Sequence, residues 1–224
     1  MIYITGDTHG DKARFIENNI GDDSWTEQDY LIICGDFGYI FLNDAYEKSV
    51  LEILKQKPYT ICFCDGNHEN FPAIFSYPQE QWNGGKIHRI APNIIHLMRG
   101  QVFDIEGKKI FTMGGAYSID KHLRKTGYDH WDEELPTMEE YDEARENLAK
   151  NQNRVDIVIT HTAPTTAINL LGASGTPEEQ SLASFLDYLM HNLSYDKWYF
   201  GHWHVDKAVT DKLTAVYYRV YCVE

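Results

Sequence analysis

Residues 61–69 read Ile-Cys-Phe-Cys-Asp-Gly-Asn-His-Glu, an apolar run that stops at a glycine followed by side chains able to bind metals and move protons. The pattern recurs. Ile2–Thr5 leads into Gly6, Asp7, Thr8 and His9; residues 31–34 into Gly35 and Asp36; 155–160 into His161; and 198–200 into Gly201, His202, Trp203 and His204. Short runs that are apolar throughout are the mark of strands covered on both faces by other layers. A chain with several of them has to bury sheet between layers and carry its polar chemistry at the strand ends.

The spacers are helical. Residues 11–19 put Ala13, Phe15 and Ile16 on one side of a helix. After Asn43 or Asp44 as N-cap, Ala45, Tyr46, Val50, Ile53 and Leu54 recur at helical spacing until Pro58. Strand, helix, strand, helix, strand predicts parallel strands whose C-terminal ends share an edge, and ligands bind at that edge in open α/β sheets. Further on, residues 101–105 and 109–113 flank Glu106-Gly107-Lys108 as an antiparallel hairpin, the start of a second, more antiparallel sheet.

Residues 117–136 are aromatic and charged without a period, which predicts a surface loop or small cap. Thr137 caps a helix with Glu140 at the capping-box position and Met138, Tyr141, Ala144 and Leu148 along one side, while Glu146 and Lys150 add an i,i+4 pair. Thr176-Pro177-Glu178-Glu179 opens a last helix with Leu182, Phe185, Leu186, Leu189 and Met190 as its stripe. Residues 208–210 pair with 213–223 around Asp211-Lys212. No repeat, low-complexity tract or linker interrupts the chain, so residues 1–224 are expected to form a single domain, with 117–136 as its one insertion.

The formal net charge of −14 opposes non-specific binding to nucleic acid or anionic membrane, both of which need a basic surface. It does not oppose phosphate chemistry if bound cations reverse the local field. The N-terminus has no basic segment or small-residue cleavage site, and no run approaches the ~18–20 apolar residues of a membrane span. Cys34, Cys62, Cys64 and Cys222 sit in or beside apolar strands without a second pair at zinc-site spacing. They read as structural thiols of a soluble, cytoplasmic protein.

Collected, the strand-end side chains are Asp7, His9, Asp36, Asn67, His161, His202 and His204. Any one alone reads equally as a turn with polar tips. Together they suffice for two divalent metal ions sharing one Asp, and a set without thiolate suits Mn²⁺, Fe, Zn²⁺ or Co²⁺. Such a pair can hold a phosphoryl group and lower the pKa of a bridging water to give hydroxide. His68, one position past a ligand, is then free to protonate the leaving oxygen.

In these blocks the chain resembles the calcineurin-like metallophosphoesterases, which share Asp-x-His, Gly-Asp, Gly-Asn-His-Asp/Glu, a lone His and Gly-His-x-His in this order. The resemblance spans Gly6 to His204 and implies an α/β fold, a four-layer αββα sandwich of two mixed β-sheets flanked by helices. It implies that Asp7, His9, Asp36 and His204 hold one metal and Asp36, Asn67, His161 and His202 the other, with manganese foremost. His68 is implied as the catalytic proton donor, and the activity as hydrolysis of a phosphate mono- or diester by a metal-bridging hydroxide.

Departures narrow the expectation. The second block is Gly35-Asp36-Phe37-Gly38-Tyr39, a residue shorter than the family's frequent Gly-Asp-x-x-Gly. The phosphate-binding arginine of the protein phosphatase branch is missing, as is the arginine before Gly-Asn-His, where Asp65 stands instead. The substrate is therefore expected to be small. Tyr117, Asp120, Lys121, His122, Arg124 and Trp131 are the candidates to read it, since aromatic faces and cations can stack a nucleotide-like base and neutralise a phosphate. A solvated charged loop anchored by Trp131 is the competing reading. The alternative to an enzyme is a protein-interaction scaffold on the same fold, against which the retained His68 and all seven ligands speak. His88, His96, His130 and His191 fit no block and are expected to be surface or packing residues.

Overall fold

The computed structural model describes residues 1–16, 20–21 and 24–223. In chain order the elements are β1 (Ile2–Thr5), α1 (Ala13–Ile16), β2 (Tyr30–Cys34), α2 (Ala45–Leu54), β3 (Thr60–Cys64), α3 (Phe71–Phe75), β4 (Gln79–Trp82), β5 (Gly85–Ala91) and β6 (Ile94–Leu97). There follow β7 (Gln101–Ile105), β8 (Lys108–Met113), α4 (Met138–Lys150), β9 (Ile157–Thr160), α5 (Thr165–Leu171), α6 (Gln180–Asn192), β10 (Lys197–Phe200), β11 (Lys207–Ala208), β12 (Leu213–Ala215) and β13 (Tyr221–Val223).

Among the described residues one sheet runs β13-β1-β2-β3-β6-β5-β4 and the other β11-β12-β10-β9-β8-β7. In the first, β1, β2, β3 and β6 are mutually parallel and the flanking pairs antiparallel. In the second, β8, β9, β10 and β12 are parallel, with β7 and β11 antiparallel at the edges. Both sheets are thus mixed; the second is no more antiparallel than the first. The strands β1, β2, β3, β9 and β10 all end at one rim, where the polar blocks begin.

Alternation along each strand explains the layers. Leu31, Ile33, Ile61 and Phe63 turn outward to Phe15, Val50, Leu51 and Leu54 of α1 and α2. Ile32, Cys34, Cys62 and Cys64 turn inward, where they meet Phe103, Ile110, Ile157 and Ile159 of the other sheet. The far face of that sheet, Phe111, Val158, Trp198 and Phe200, packs under Tyr141, Ala144 and Leu148 of α4 and Phe185, Leu186 and Leu189 of α6. Every central strand is covered twice, hence its unbroken apolar run. At roughly 1.5–3 kcal/mol for each large side chain fully buried, this double covering is the main support of the sandwich. The result is the four-layer α-β-β-α arrangement of two mixed sheets.

Local signals held in most places. Asp44 accepts from the Glu47 amide at 2.9 Å and caps α2, and Thr137 and Glu140 form the capping box of α4. Elsewhere the structure differs. The helix predicted at 11–19 is α1 over its described part, and residues 17–19 lie outside the described residues. Thr176 does accept from the Glu179 amide at 3.3 Å, but α6 starts only at Gln180, because Glu179 is drawn into the interior rather than left as an exposed first-turn acid. The 213–223 stretch divides: Leu213–Ala215 pairs with Lys207–Ala208, whereas Tyr221–Val223 crosses to pair with β1 in the other sheet. No helix among the described residues is long and apolar enough to cross a membrane.

Candidate metal centre

The strand ends do not simply point at one another; each block is held by the next. Asp36 accepts the amide of His68 at 2.8 Å, and Asp7 accepts that of His202 at 2.9 Å and 3.1 Å. The amide of His9 donates to the carbonyl of Asp36 at 2.8 Å. Asp7, His9, Asp36, His202 and His204 all adopt left-handed backbone, with φ of 33°, 48°, 48°, 65° and 49°. Non-glycine residues hold that conformation, at a cost of order 1–3 kcal/mol each, only where the surroundings over-determine it. The glycines make the approach possible. A Cβ on Gly66 would overlap the Asp36 carboxylate, and one on Gly35, itself at φ 83°, would overlap the His161 ring.

Asp7, His9, Asp36 and His204 each offer a ligand atom, and these atoms all lie within 4.8 Å of one another. His9 Nε2 is 2.9 Å from His204 Nε2 and 3.7 Å from Asp36 Oδ2. A second convergence adjoins the first: His161 Nε2 and His202 Nδ1 both lie 3.1 Å from Asn67 Oδ1, and His161 Nε2 is 3.4 Å from Asp36 Oδ1. All seven predicted residues therefore come together, with Asp36 facing both groups through its two oxygens. His68 stands beside them, its ring centroid 5.0 Å from that of His9.

Proton accounting tests whether this donor set suits cations. His161 Nδ1 lies 2.8 Å from the Cys34 carbonyl, which accepts, so Nδ1 carries the ring proton. Nε2 then faces two more acceptors, Asn67 Oδ1 and Asp36 Oδ1, and lone pairs so opposed repel unless a proton or a cation lies between them. Burial pulls the His161 pKa down, but the Asp36 and Asp7 carboxylates and the Cys34 carbonyl outweigh it and raise it. Burial takes His9 to about 4 and His202 to about 3, so both rings are neutral, the form a metal requires. Asp7 is pushed to about 8, by burial first and then by the charge of Asp36 against a partial offset from His161. Asp36 itself is held well below the usual carboxylate range, since His161, His68 and His9 together overcome its burial. Imidazoles, carboxyl groups and an amide oxygen in two adjoining groups fit borderline-to-hard divalent cations, whose binding would displace the protons held by Asp7 and His161.

The neighbours include residues that no motif marked. Ser118 Oγ accepts from Asn67 Nδ2 at 3.1 Å, which turns the amide oxygen toward His161 and His202. Glu69, fully buried, accepts the amides of Phe37 at 2.7 Å and Gly38 at 3.4 Å, and so shapes the loop that follows Asp36. Arg14 is buried behind β1, donating to Thr5 Oγ1 and the Tyr217 carbonyl at 2.9 Å each. Tyr217 stacks on His204 at 4.7 Å. Of these only Glu69 lies in a motif, as the last residue of Gly66-Asn67-His68-Glu69, where it is assigned no role.

Asp65, the noted departure, is explained by a buried network. Its carboxylate accepts from Arg99 Nε at 2.7 Å and lies 3.1 Å from His96 Nε2, while His96 Nδ1 lies 3.0 Å from His88 Nδ1. His88, His96 and His130 are all buried in polar networks, and His130 Nδ1 sits 2.8 Å from Glu134. They are core groups with partners rather than surface residues; His191 is exposed.

The 117–136 stretch lies over the site and forms single 3₁₀ turns at Lys121–Leu123 and Asp132–Glu134. Arg124 Nη2 is 3.0 Å from His68 Nε2, and Arg124 Nε is 2.9 Å from Asp120. Lys121 lies over the Tyr117 ring at 5.2 Å. Trp131, only 5% exposed, packs edge-on against Phe41, whose ring is 5.4 Å from that of His68. His122 is exposed, and no hydrogen bond or ion pair among the described residues joins it to the cluster.

Comparison with known proteins agrees with this architecture. No curated protein matches the chain. Among solved structures, a protein described as a candidate 5′-nucleotidase from Staphylococcus aureus, crystallised with alpha-ketoglutarate, is 14% identical with a TM-score of 0.50. The match covers 96% of this chain and 48% of that one, so the chain spans about half its length. At this identity the likeness concerns the fold alone. The phosphopantetheinyl hydrolase of Mycobacterium tuberculosis is 15% identical over 96% of this chain and 87% of its own, with a TM-score of 0.42. The model of the calcineurin-like phosphoesterases matches residues 1–206, with all five polar blocks inside the match, and the chain belongs to that family.

Proposed function

We propose that this chain is a dimetal phosphoesterase acting on a small phosphorylated substrate. The observation that carries the reading is the convergence of ligand-type atoms on the two oxygens of Asp36: His161 Nε2, with His202 Nδ1 and Asn67 Oδ1 beside it, on one side, and His9 Nε2 with His204 Nε2 on the other. Asp7, His9, Asp36 and His204 would hold one cation, and Asp36, Asn67, His161 and His202 the second. Manganese suits this set, with iron, zinc and cobalt as alternatives. When bound, such a pair supplies a water of lowered pKa and neutralises charge on the phosphoryl oxygens.

The remaining work belongs to the chain. The backbone amides of His68 and His202 hold the two carboxylates in place: that of His68 engages Oδ1 of Asp36 and leaves Oδ2 toward His9, and that of His202 is shared by both oxygens of Asp7. His68 is tied to Asp36 through its backbone and to Arg124 through Nε2, and its ring is the proposed donor of a proton to the departing oxygen. Phe41 walls one side of that ring, and Tyr117, Lys121 and Arg124 supply aromatic and cationic groups for the substrate.

The test is hydrolysis of p-nitrophenyl phosphate and bis-p-nitrophenyl phosphate after chelation and again with added Mn²⁺, beside Asp36→Asn. Turnover restored by Mn²⁺ in the natural protein and absent from Asp36→Asn is the expected result. Two tightly bound metals per chain without turnover of either ester, or of a panel of nucleotides, would refute the enzymatic reading in favour of a scaffold.

A further inference from the structure

Arg124 is the one cation that the 117–136 stretch points into the site with its orientation already set. Its side chain is 11% exposed. Nε pairs with Asp120 Oδ1 at 2.9 Å and Nη1 reaches the carbonyl of Asp129 at 3.4 Å, so the plane of the guanidinium is held from behind. Asp129 is itself fixed, its Oδ1 accepting the amide of Lys125 at 2.5 Å. Only Nη2 faces the centre, and its partner is an uncharged acceptor, His68 Nε2, at 3.0 Å. A guanidinium fork makes its strongest and most directional bonds to oxyanions, and a pre-oriented one loses little entropy in making them.

We propose that Arg124 exchanges His68 for a terminal oxygen of the substrate, and that this makes the site one for phosphomonoesters. The inference rests on the dimetal reading above. A monoester dianion brings three unesterified oxygens and two charges, a diester two oxygens and one charge. A fixed cation outside the ligand cluster can take the additional oxygen and charge, which only the monoester has. The exchange also releases Nε2 of His68 from Arg124. Asp120 is a positioning residue in this scheme, since it touches the guanidinium and not the substrate.

The experiment compares Arg124→Ala and Arg124→Lys with the natural protein, after confirming equal Mn²⁺ content. In Arg124→Ala, kcat/KM for p-nitrophenyl phosphate should fall by ~10–100-fold, the worth of a charge-assisted hydrogen bond, while that for bis-p-nitrophenyl phosphate moves less than about threefold. Arg124→Lys should recover only part of the loss, because an ammonium lacks the fork. Equilibrium dialysis of the Mn²⁺-loaded protein gives a readout independent of turnover. Inorganic phosphate should bind ~10–100-fold more weakly to Arg124→Ala, with dimethyl phosphate unaffected. Equal losses for both esters and both anions, or no loss for either, overturn the proposal even if the enzyme is active. Failure of the natural protein to turn over any ester strikes the dimetal reading instead, and phosphate binding then still decides the role of Arg124.

Discussion

The ligand cluster and the loop above it are assembled in opposite ways. Each cluster residue is held by a distant part of the chain: Asp7 by the amide of His202, 195 residues on, and His161 by the carbonyl of Cys34, 127 residues back. The loop is anchored at Ser118, Arg124 and Trp131 but is otherwise shaped by bonds within itself. Asp120 pairs with Arg124, Lys125 with Asp129, and Gly127 with His130, all within five residues. Cluster residues are mostly buried on strained backbone, whereas Ile119, Leu123 and Tyr128 of the loop are 74%, 79% and 57% exposed. A centre tied to the whole fold can change little without loss of the fold, and the exposed part of a locally bonded loop can change more freely. On the proposed reading, the metal chemistry would sit in the fold-bound cluster and the choice of substrate in the loop.

The sharpest break in that comparison is at the residue where the two parts meet. Replacing His68 by Ala removes the proposed proton donor without touching a proposed ligand, and turnover should fall by ~10²–10⁴-fold. Metal content measured by mass spectrometry should be unchanged. Unchanged turnover would mean that another group protonates the leaving oxygen.

Next in size is the support beneath the cluster. Arg99→Met strands the buried Asp65 carboxylate, which should cost ~3–5 kcal/mol in urea unfolding at pH 7. The pH dependence follows from the direction of the Asp65 shift. Burial alone would raise its pKa, but Arg99 and His96 hold it well below the usual carboxylate range. A depressed carboxylate stabilises the fold fully above its unfolded pKa of about 3.9, and loses that contribution as pH falls toward the folded value. The gap between natural protein and variant should therefore narrow between pH 5 and pH 3. A gap that stayed constant would assign the loss to packing rather than to charge.

The smallest effect is expected within the loop. Asp120→Ala frees one side of the Arg124 fork, and KM for p-nitrophenyl phosphate should rise about two- to fivefold with kcat and thermal stability nearly unchanged, as for other exposed ion pairs of ~0.2–1 kcal/mol. A loss of stability comparable to that of Arg99→Met would show that the loop is part of the fold after all.

Some features escaped sequence reasoning although their signal was present. Asn83-Gly84, both with positive φ, form the two-residue turn between β4 and β5, and Asn-Gly is the strongest short hairpin signal. It was masked by Gln, Glu, Lys, His and Arg along both strands. The helix α5 is short and ends at Gly172 in the left-handed conformation, a stop signal that is plain only once a start is known. The transfer of Tyr221–Val223 to the other sheet has no local signal, since any apolar strand can pair with either edge.

What the residues determined by themselves was the set of elements and their polarity. Continuous apolar runs require covering on both faces, caps and prolines bound the helices, and a glycine at a strand end marks where backbone must pass close to a side chain. The seven ligand-type residues and His68 could be collected on those grounds. Tertiary structure alone decided what each of them faces. That Ser118 turns the Asn67 amide, that Arg99 stands against Asp65, that Trp131 is spent on Phe41 and that Arg124 reaches His68 all depend on side chains far apart in the chain meeting at one rim. Hydrophobic periodicity carries no information about such meetings, because it reports which face of an element is buried and not what lies opposite it.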